Sequence, residues 1–473
     1  MAKMNNNNNK ILLNHIFSIF KETINLSILA LLFSLESIFI LQKWGPIYHT
    51  LTALSFLLFT IAKHHLSNPS PLYLVDFSCL KPPNHCRVPR STYIEHVKML
   101  DFLDEESVSF MAKVLKHSGQ GEQTYLPPAI HFIPPKSSHH EATQEVHMAL
   151  FPVLQDLLSK TNTSATDIDV LIVNCSGFCP SPSLSSIVVN RFGMREDVRS
   201  FTISGMGCSA SAMAVDMAGD ILRSRGESNA VILSTEILST GWYPGRDSAM
   251  LVLNCVFRMG AAAMLVSNKR EVRKRAKYRL VCSVRTQRAF DDKGYYSAFR
   301  DEDSDGFTGV CLNRDLLQVA GETLRSNITI LGRKLLPYTE MIMYTISVMK
   351  KKYIDKSTEI YVPNFKSVVQ HFCLPVSGKP LIREIGKGLK LGEREIEAAL
   401  MTLHRFGNQS SSSLWYELCY IEAKERVKKG DRVWQLGMGS GPKCNSLVWE
   451  CIRPIVGEAQ RGVWADCIVS YPR

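Results

Sequence analysis

The stretch FTISGMGCSASAMAVDMAGDIL, residues 201–222, places a cysteine between a strand-like segment and a helix-like segment. The small residues around Cys208 predict a sharp turn and allow other groups to approach the backbone closely. A thiol in the first turn of a helix also lies near the positive end of the helix dipole, which favours the thiolate. Cys208 is therefore a candidate nucleophile with a lowered pKa. The alternative is a small buried residue that fills the corner between strand and helix.

Strand-like and helix-like segments alternate on both sides of this turn. Buried strands are predicted at residues 167–176 and 230–237, with helices between and after them. Strands mixed with helices of this length predict a layered α/β sheet. Residues 67–90 are rich in proline and are interpreted as an extended connector. Near the other end of the chain, Ser410–Ser413 are interpreted as small residues that open a helix.

The chain has 473 residues, a hydrophobic content of 45% and a formal net charge of +11. This hydrophobic content is typical of a globular protein and excludes a disordered chain. The positive charge predicts an anionic partner, such as membrane headgroups or a phosphorylated small molecule. No basic motif with interleaved aromatic residues indicates nucleic acid, which we exclude as a partner. The basic run at residues 268–279 is either a solvated loop or part of an anion-binding surface.

Cysteine spacing gives no sign of a bound metal ion. The thirteen cysteines are scattered without CxxC pairs, so we expect neither a metal site nor a cofactor. The thiols are predicted to be reduced, as in a protein that faces the cytosol.

Two apolar stretches, residues 24–41 and 44–62, are separated by only a short polar link. As a helix, each would be close to the roughly 30 Å of a bilayer core. Lysines outside this pair outnumber the single lysine within it, so the following domain is predicted to face the cytosol. Glu36 either faces the partner helix or marks an interfacial segment. Two stretches are too few for a typical transporter, so the hairpin is interpreted as a membrane anchor.

With these segments placed, the chain resembles the plant 3-ketoacyl-CoA synthases, the condensing enzymes of the microsomal fatty-acid elongase in the thiolase superfamily. The resemblance rests on long motifs in the same order: GMGCSA, STEI with WYPG, NCVFRMG, RAKYRLVCSVRT, MTLHRFGNQSSSSLWYEL and KGDRVWQLGMGSGPKCNS. It implies a duplicated α/β/α/β/α layered fold behind an N-terminal transmembrane hairpin. The implied organisation is an N-terminus at 1–23, the hairpin at 24–62, a connector at 63–90 and thiolase-like halves at 91–310 and 311–473.

The same resemblance implies long-chain acyl-CoA and malonyl-CoA as substrates. Cys208 would hold the acyl group as a thioester, and the enolate formed when malonyl-CoA loses carbon dioxide would attack that thioester. The product would be a 3-ketoacyl-CoA two carbons longer. The family also implies an endoplasmic-reticulum membrane location with a cytosolic catalytic domain, other elongase subunits as partners, and a homodimer.

Further site residues follow from this resemblance. The backbone N–H groups of Cys208 and Gly439 would bind the developing oxyanion. The side-chain amide of Asn408 would donate to the malonyl thioester carbonyl, whereas its sequence context alone is also that of a turn asparagine. His404 and His371 complete the candidate catalytic side chains.

The chain departs from the family pattern at three positions. Pro375 stands in HFCLPVSG where the family has its catalytic histidine, Gln287 replaces a second histidine, and Pro442 replaces a phenylalanine. Proline has no side-chain donor and no N–H, so it cannot stabilise an enolate. The sequence therefore leaves open a working synthase, or a weak or inactive homologue that binds elongase partners. A different acyl transfer through Cys208, such as thioester hydrolysis or decarboxylation, is the third alternative.

Overall fold

A computed structural model describes residues 50–51, 53–58 and 70–472 of the chain. The chain divides into two units, Met1–Ser70 and Pro71–Arg473. In the first unit residues 50–51 and 53–58 are helical. The membrane hairpin predicted at 24–62 otherwise lies outside the described residues. Within the described part of the chain, no helix combines the length and the apolar character needed to cross a bilayer.

The second unit contains the strands and helices of the fold. Its strands are β1 Tyr73–Cys79, β2 Arg87–Val88, β3 Thr124–Tyr125, β4 Val170–Asn174, β5 Arg199–Ile203, β6 Asn229–Thr235, β7 Ala261–Ser267, β8 Tyr278–Gln287, β9 Ala298–Glu302, β10 Thr308–Leu312, β11 His371–Cys373, β12 Arg432–Gly439 and β13 Lys443–Cys451. Its helices are α1 Arg90–Lys98, α2 Glu105–Ser118, α3 His139–Thr161, α4 Leu184–Phe192, α5 Ala210–Arg225, α6 Ser248–Val256, α7 Asp292–Tyr295, α8 Leu316–Leu335, α9 Tyr338–Tyr353, α10 Lys379–Gly388, α11 Glu393–Phe406 and α12 Ser413–Ala423.

Nine of these strands form one mixed sheet with the order β11-β12-β13-β8-β1-β7-β6-β4-β5. The predicted strands at 167–176 and 230–237 are confirmed as β4 and β6, and every residue of both is buried. They pair in parallel with each other, and β4 also pairs in parallel with β5. Continuous apolar runs suit such strands because helices cover both faces of a parallel sheet.

The sheet has two parts, β11-β12-β13-β8 and β1-β7-β6-β4-β5. Two helices lie between these parts. The parts are joined where Tyr73 and Leu74 of β1 pair with Arg279 and Tyr278 of β8. Helix α5 contacts both β6 and β12, and helix α12 contacts both β1 and β11. Because each helix touches strands of both parts, both helices belong to the interior of the unit. Helix α5 is the one that follows Cys208.

The proline-rich stretch predicted as a connector contains a strand, so that prediction is wrong for residues 73–79. The segment YLVDFSC is buried along six of its seven residues and forms β1, which pairs with β7 over nearly its whole length. Pro71 precedes the strand and Pro82 follows it. The prolines therefore bound the strand, where their missing N–H removes no ladder hydrogen bond.

The basic run at residues 268–279 is not a uniformly solvated loop. The side chain of Lys277 is 2% exposed, and its Nζ lies 3.0 Å from Asp76 and 2.8 Å from both Glu422 and Glu458. A buried ammonium requires such partners because leaving water without them costs several kcal/mol. These contacts join β1, α12 and the C-terminal segment to the start of β8.

Candidate active site

Cys208 lies in a 3-10 turn, Gly207–Ser209, between the end of β5 and the start of α5. The prediction that Cys208 lies at a turn between a strand and a helix is therefore confirmed. Gly207 has a φ of +54°, a left-handed conformation that favours glycine. A Cβ at Gly207 would lie 2.9 Å from the backbone nitrogen of Ser440. The glycine thus allows both the sharp turn and the close approach of the β12–β13 hairpin.

Strand β12 packs against the cysteine turn at two glycines. A Cβ at Gly437 would lie 3.2 Å from the Cα of Ser209, and one at Gly439 would lie 3.0 Å from the nitrogen of Ser209. Side chains at these positions would push the strand away from the turn. The structure therefore brings Gly439 beside Cys208. Its role as an oxyanion donor stays a prediction.

The segment HRFGNQSSSS supplies two side chains that contact Cys208. The Oγ of Ser410 lies 3.5 Å from the Sγ of Cys208. The Oδ1 of Asn408 accepts a hydrogen bond of 2.8 Å from the N–H of Ser410, and the Asn408 side chain also hydrogen-bonds the cysteine. Ser410 has a φ of +56°, which costs about 1–3 kcal/mol for a residue with a side chain. The turn holds this strained conformation at the point where it meets the cysteine.

Neighbouring hydroxyl groups fix this turn against the sheet. The Oγ of Ser411 donates to the Oδ1 of Asn174 at 2.8 Å, and the Oγ of Ser412 donates to the carbonyl of Ser234 at 2.7 Å. Asn174 ends β4 and Ser234 belongs to β6. Buried hydroxyls need such partners, so the serines set the position of the turn. Their interpretation as small residues that open a helix misses this role.

Ser410 also connects the cysteine with a buried carboxylate. Its Oγ lies 3.0 Å from the Oε2 of Glu236, while the Oε1 accepts hydrogen bonds from the N–H groups of Ser176, at 2.9 Å, and Gly177. The two backbone N–H groups favour the ionised carboxylate, although the Ser410 hydroxyl can also accept the proton of a neutral carboxyl. Burial nevertheless raises the pKa of Glu236.

Glu236 was not assigned a role from the sequence, although a signal was present. It directly follows β6, as Cys208 follows β5 after a short link, and both strands run parallel to β4. The carboxyl ends of parallel strands meet at one edge of a sheet, where α/β proteins place their sites. The glutamate of STEI could have been placed beside the cysteine on this ground.

The pKa of Cys208 contradicts the prediction made from the helix dipole. Burial raises the pKa of Cys208 to about 11, hydrogen bonds from Ser410 and Asn408 lower it, and the negative charge of Glu236 raises it again. The prediction is wrong because removing a thiolate from water costs more than one helix terminus returns. At neutral pH the nucleophile is a thiol, and the reaction requires a group that removes its proton.

His371 lies too far along the sheet to remove that proton. Its Nε2 lies 2.9 Å from the Oδ2 of Asp431, and burial lowers the pKa of its ring. In the parallel pair of β11 and β12, His371 is opposite Val433, whereas Gly437 contacts the cysteine turn. The four residues between these levels correspond to about 13 Å. The candidate role of His371 at Cys208 is therefore contradicted by its position.

His404 is engaged with the C-terminal segment. Its Nδ1 lies 3.0 Å from the hydroxyl of Tyr471. A Cβ at Gly121 would lie 2.8 Å from its Nε2, so the other ring nitrogen packs against that glycine. His404 lies four residues before Asn408, and these contacts are with Tyr471 and Gly121 rather than with Cys208. The structure brings Asn408 to Cys208 and gives His404 a different place.

The three departures from the family pattern lie near the cysteine end of the sheet. Cys373, the last residue of β11, pairs with Gln435 of β12, and Pro375 follows two residues later and is buried. Gln287 is the last residue of β8 and pairs with the first residue of β13.

Pro442 belongs to the turn that joins β12 to β13. Its carbonyl accepts a hydrogen bond of 2.8 Å from the N–H of Arg288. The β12–β13 hairpin, which contacts the cysteine turn, therefore contains Pro442. It pairs with β8, which ends at Gln287.

Solved structures define the class of fold. The 1,3,6,8-tetrahydroxynaphthalene synthase of Streptomyces coelicolor, a type III polyketide synthase, matches with a TM-score of 0.61 and 19% identity over 80% of this chain and 99% of that chain. PKS-I of the brown alga Ectocarpus siliculosus matches with a TM-score of 0.62 and 15% identity over 81% and 99%. At these identities the likeness concerns the fold alone. The fold is the thiolase-like α/β fold of type III polyketide synthases.

Sequence comparisons define the family within this class. A model described as FAE1/Type III polyketide synthase-like protein matches residues 64–353, and one described as 3-oxoacyl-acyl-carrier-protein synthase III C terminal matches 366–451. The 3-ketoacyl-CoA synthase 6 of Arabidopsis thaliana is 46% identical over 92% of this chain and 88% of its own length. Synthase 5 of the same plant is 47% identical over 90% and 86%. The chain belongs to the 3-ketoacyl-CoA synthase family, and the resemblance seen in the sequence is confirmed.

Proposed function

We propose that the chain joins a long-chain acyl-CoA with malonyl-CoA to give a 3-ketoacyl-CoA two carbons longer, carbon dioxide and CoA. It is a condensing enzyme of fatty-acid elongation, as its family indicates. The observation that carries the proposal is the meeting of Cys208, at a strand-to-helix turn, with Asn408 and Ser410 from a segment two hundred residues away. This arrangement provides a nucleophile, an amide donor and a hydroxyl at one point.

We infer that acylation begins with attack of the Cys208 sulfur on the thioester carbonyl of the acyl-CoA. The thiol proton passes to the Oγ of Ser410 while the hydroxyl proton of Ser410 passes to Glu236. The backbone N–H groups of Cys208 and Gly439 hold the oxyanion. When the bond to the CoA sulfur breaks, the proton returns by the same route and CoA leaves as its thiol. The acyl group remains on Cys208.

Condensation follows on the acylated cysteine. Malonyl-CoA loses carbon dioxide, and the electron pair of the broken carbon–carbon bond becomes an enolate that attacks the acyl thioester. The Cys208 thiolate leaves and takes up a proton that enters from solvent through Glu236 and Ser410. Asn408 donates to the malonyl thioester carbonyl, whereas Pro375 donates nothing. One missing donor costs about a hundred- to a thousand-fold in rate, or roughly 3 to 4 kcal/mol. We therefore expect a slow decarboxylation step.

The experiment uses microsomes that contain the full-length chain. Supplied with a long-chain acyl-CoA and labelled malonyl-CoA, they are expected to form a labelled product two carbons longer, and the Cys208→Ala variant is expected to form none. A matched Cys311→Ala variant, which removes a partly exposed thiol on β10, should behave like the natural chain. Failure of the natural chain to form either product or an acyl-cysteine would instead favour the inactive subunit.

We propose an endoplasmic-reticulum membrane location with the catalytic unit facing the cytosol. The hairpin predicted at 24–62 supports this, and so does α9. That helix exposes an apolar face that includes Ile342 at 57% and Ile346 at 59%, and its last turn carries Lys350–Lys352. An apolar face beside lysines suits an anionic bilayer surface. A tag at either terminus should be cleaved by protease without detergent, and protection of the C-terminal tag would contradict this orientation.

We also propose a homodimer that binds other elongase subunits. The placement of α5 and α12 between the two parts of the sheet supports a duplicated α/β/α/β/α arrangement. Strand β5 ends the sheet order and exposes Arg199 and Ser200, so this edge is available for pairing with a second copy. The solubilised chain is expected to sediment as a dimer, and a proline in place of Ser200 should shift it to the monomer.

A further inference from the structure

A cavity of about 780 Å³ lies between α8, α9, α10 and the segment 360–365. This volume falls within the range of about 300 to 1,000 Å³ that ligand sites occupy in proteins. Its lining is predominantly apolar and includes Leu324, Ile328, Leu336, Met341, Phe365 and Ile385. No residue of this lining has a part in the acylation or condensation steps described above.

The cavity follows one face of α8. Leu317, Gly321, Leu324, Ile328 and Gly332 line it at helical spacing, so it extends for about 22 Å along the helix axis. One leaflet of a bilayer offers about 15 Å to an alkyl chain. A predominantly apolar space of this length suits an extended alkyl chain.

Charged side chains are confined to the exposed edge of the cavity. Arg325 and Glu384 line it and are both exposed, whereas Leu336, Phe365 and Leu389 at its inner wall are buried. The pantetheine arm of CoA carries two amides, and an apolar wall would leave them without hydrogen bonds at a cost of several kcal/mol. The chemistry of the inner wall therefore selects hydrocarbon over pantetheine.

Met438 connects the cavity with the cysteine. It lines the cavity from β12, and it stands between Gly437 and Gly439, which both contact the turn that holds Cys208. Side chains alternate along a strand, so Met438 faces the cavity while the two glycines face the turn. The distance between the two sites is thus the thickness of one strand at the end where β12 enters its hairpin.

We propose that this cavity binds the alkyl chain of the acyl group that Cys208 carries. The chain leaves the cysteine around the end of β12 and lies along α8, with α9 and α10 enclosing it. This inference rests on the proposed function because the acyl group reaches the cavity from the thioester. It names the part of the protein that receives long acyl chains.

Gly321 gives a direct test. Gly321 lines the cavity, and a Cβ there would meet no atom within 4 Å, so Gly321→Phe adds a ring to the lining from a position where the first side-chain carbon has open space. Gly388→Leu repeats the test from α10, where a Cβ would also meet nothing within 4 Å. The matched control is Ser326→Phe, which adds the same ring to an exposed position of α8 outside the lining.

Two measurements on the full-length solubilised chain separate the outcomes. We expect Gly321→Phe to weaken binding of cis-parinaric acid, a fluorescent long-chain fatty acid, by about tenfold or more, and Ser326→Phe to leave it unchanged. Mass spectrometry should show that Gly321→Phe still forms acyl-Cys208 from short acyl-CoAs and loses the long ones. Equal affinities and equal chain-length profiles in all variants would overturn the assignment. Probe binding by a natural chain that forms no acyl-cysteine would contradict the proposed function while supporting the cavity.

Discussion

The hydroxyl oxygen of Ser410 lies 3.5 Å from the sulfur of Cys208, and the same oxygen lies 3.0 Å from a carboxylate oxygen of Glu236. A hydroxyl between a thiol and a carboxylate can accept one proton while it donates another. The site therefore contains a proton acceptor for the nucleophile that does not depend on an imidazole. This matters in a chain where proline stands at the position of the family's histidine.

The first prediction concerns the reactivity of Cys208 in the free protein. Its pKa is raised to about 11, so the reactive thiolate is a minor species at neutral pH. Alkylation of Cys208 by iodoacetamide should therefore accelerate about tenfold per pH unit from about pH 7 to 10 and level off near the pKa. The measurement is mass spectrometry of the Cys208 peptide. Fast alkylation at pH 7 that barely changes with pH would restore the lowered pKa expected from the helix dipole.

The second prediction tests Glu236 through two rates that should move in opposite directions. The negative charge of Glu236 raises the pKa of Cys208, so Glu236→Gln should lower that pKa and speed alkylation at neutral pH. The same change removes the proton acceptor, so formation of acyl-Cys208 from acyl-CoA should slow by about a hundredfold or more. A loss of both rates together would mean that Glu236 only supports the structure.

Two serine variants complete this test. Ser410→Ala removes a hydrogen bond that lowers the pKa of Cys208, so both alkylation and acylation should slow. Ser412→Ala is the matched control, because its hydroxyl bonds the carbonyl of Ser234 in the same turn. We expect it to cost about 1 kcal/mol of stability and to leave both the alkylation rate and the acylation rate unchanged. An acylation defect in Ser412→Ala as large as that in Ser410→Ala would remove the case for the relay.

The elements that were predicted correctly are those whose own residues show a clear pattern. The buried run in β4 and the small residues around Cys208 identify a strand and a turn without reference to the rest of the chain. Strand β1 was missed because its partner β7 lies almost two hundred residues later, and its proline-rich flanks dominate the local pattern. A strand that depends on distant partners has a weak signal of its own.

The chemistry of the site was harder to predict than the position of its nucleophile. Ser410 lies 202 residues from Cys208 and 174 from Glu236 in the sequence, so no spacing rule connects the three. The pKa of Cys208 depends on burial by these distant segments, whereas the sequence shows only the helix that follows it. His371 lies in β11, next to β12, but four residues away from the level at which β12 contacts the cysteine turn. Only the register of the two strands shows this.

The third prediction concerns stability. Lys277 is buried among Asp76, Glu422 and Glu458, and Lys277→Met would leave the buried Glu422 without its cation, while Asp76 and Glu458 would keep Lys160 at 3.5 and 3.9 Å. We expect a loss of about 3 to 5 kcal/mol in the free energy of unfolding. The control is Lys81→Met, whose ion pair with the half-exposed Asp466 is worth about 0 to 1 kcal/mol. Thermal unfolding of the solubilised chain measures both, and equal losses would contradict the buried network.

The last prediction concerns Pro375, which is buried just beyond the end of β11 and offers no polar hydrogen. Pro375→His, combined with Val376→Ala and Ser377→Gly to make room for the ring, should restore a donor for the enolate. Because one such donor is worth about a hundred- to a thousand-fold, elongation by the repaired chain should exceed that of the natural chain by at least about tenfold. The rate of acyl-Cys208 formation should change little, since Glu236 and Ser410 serve that step.

The test compares the rate of elongation with the rate of acyl-Cys208 formation. The Val376→Ala and Ser377→Gly changes without the histidine form the matched control, and they should leave elongation as slow as in the natural chain. If the natural chain already elongates acyl-CoA rapidly and the histidine adds nothing, another group stabilises the enolate and our account of Pro375 is wrong. If neither chain elongates while the natural one alters a co-expressed synthase, the protein acts as a regulatory subunit. We expect slow natural elongation that depends on Cys208 and Asn408 and rises with the histidine.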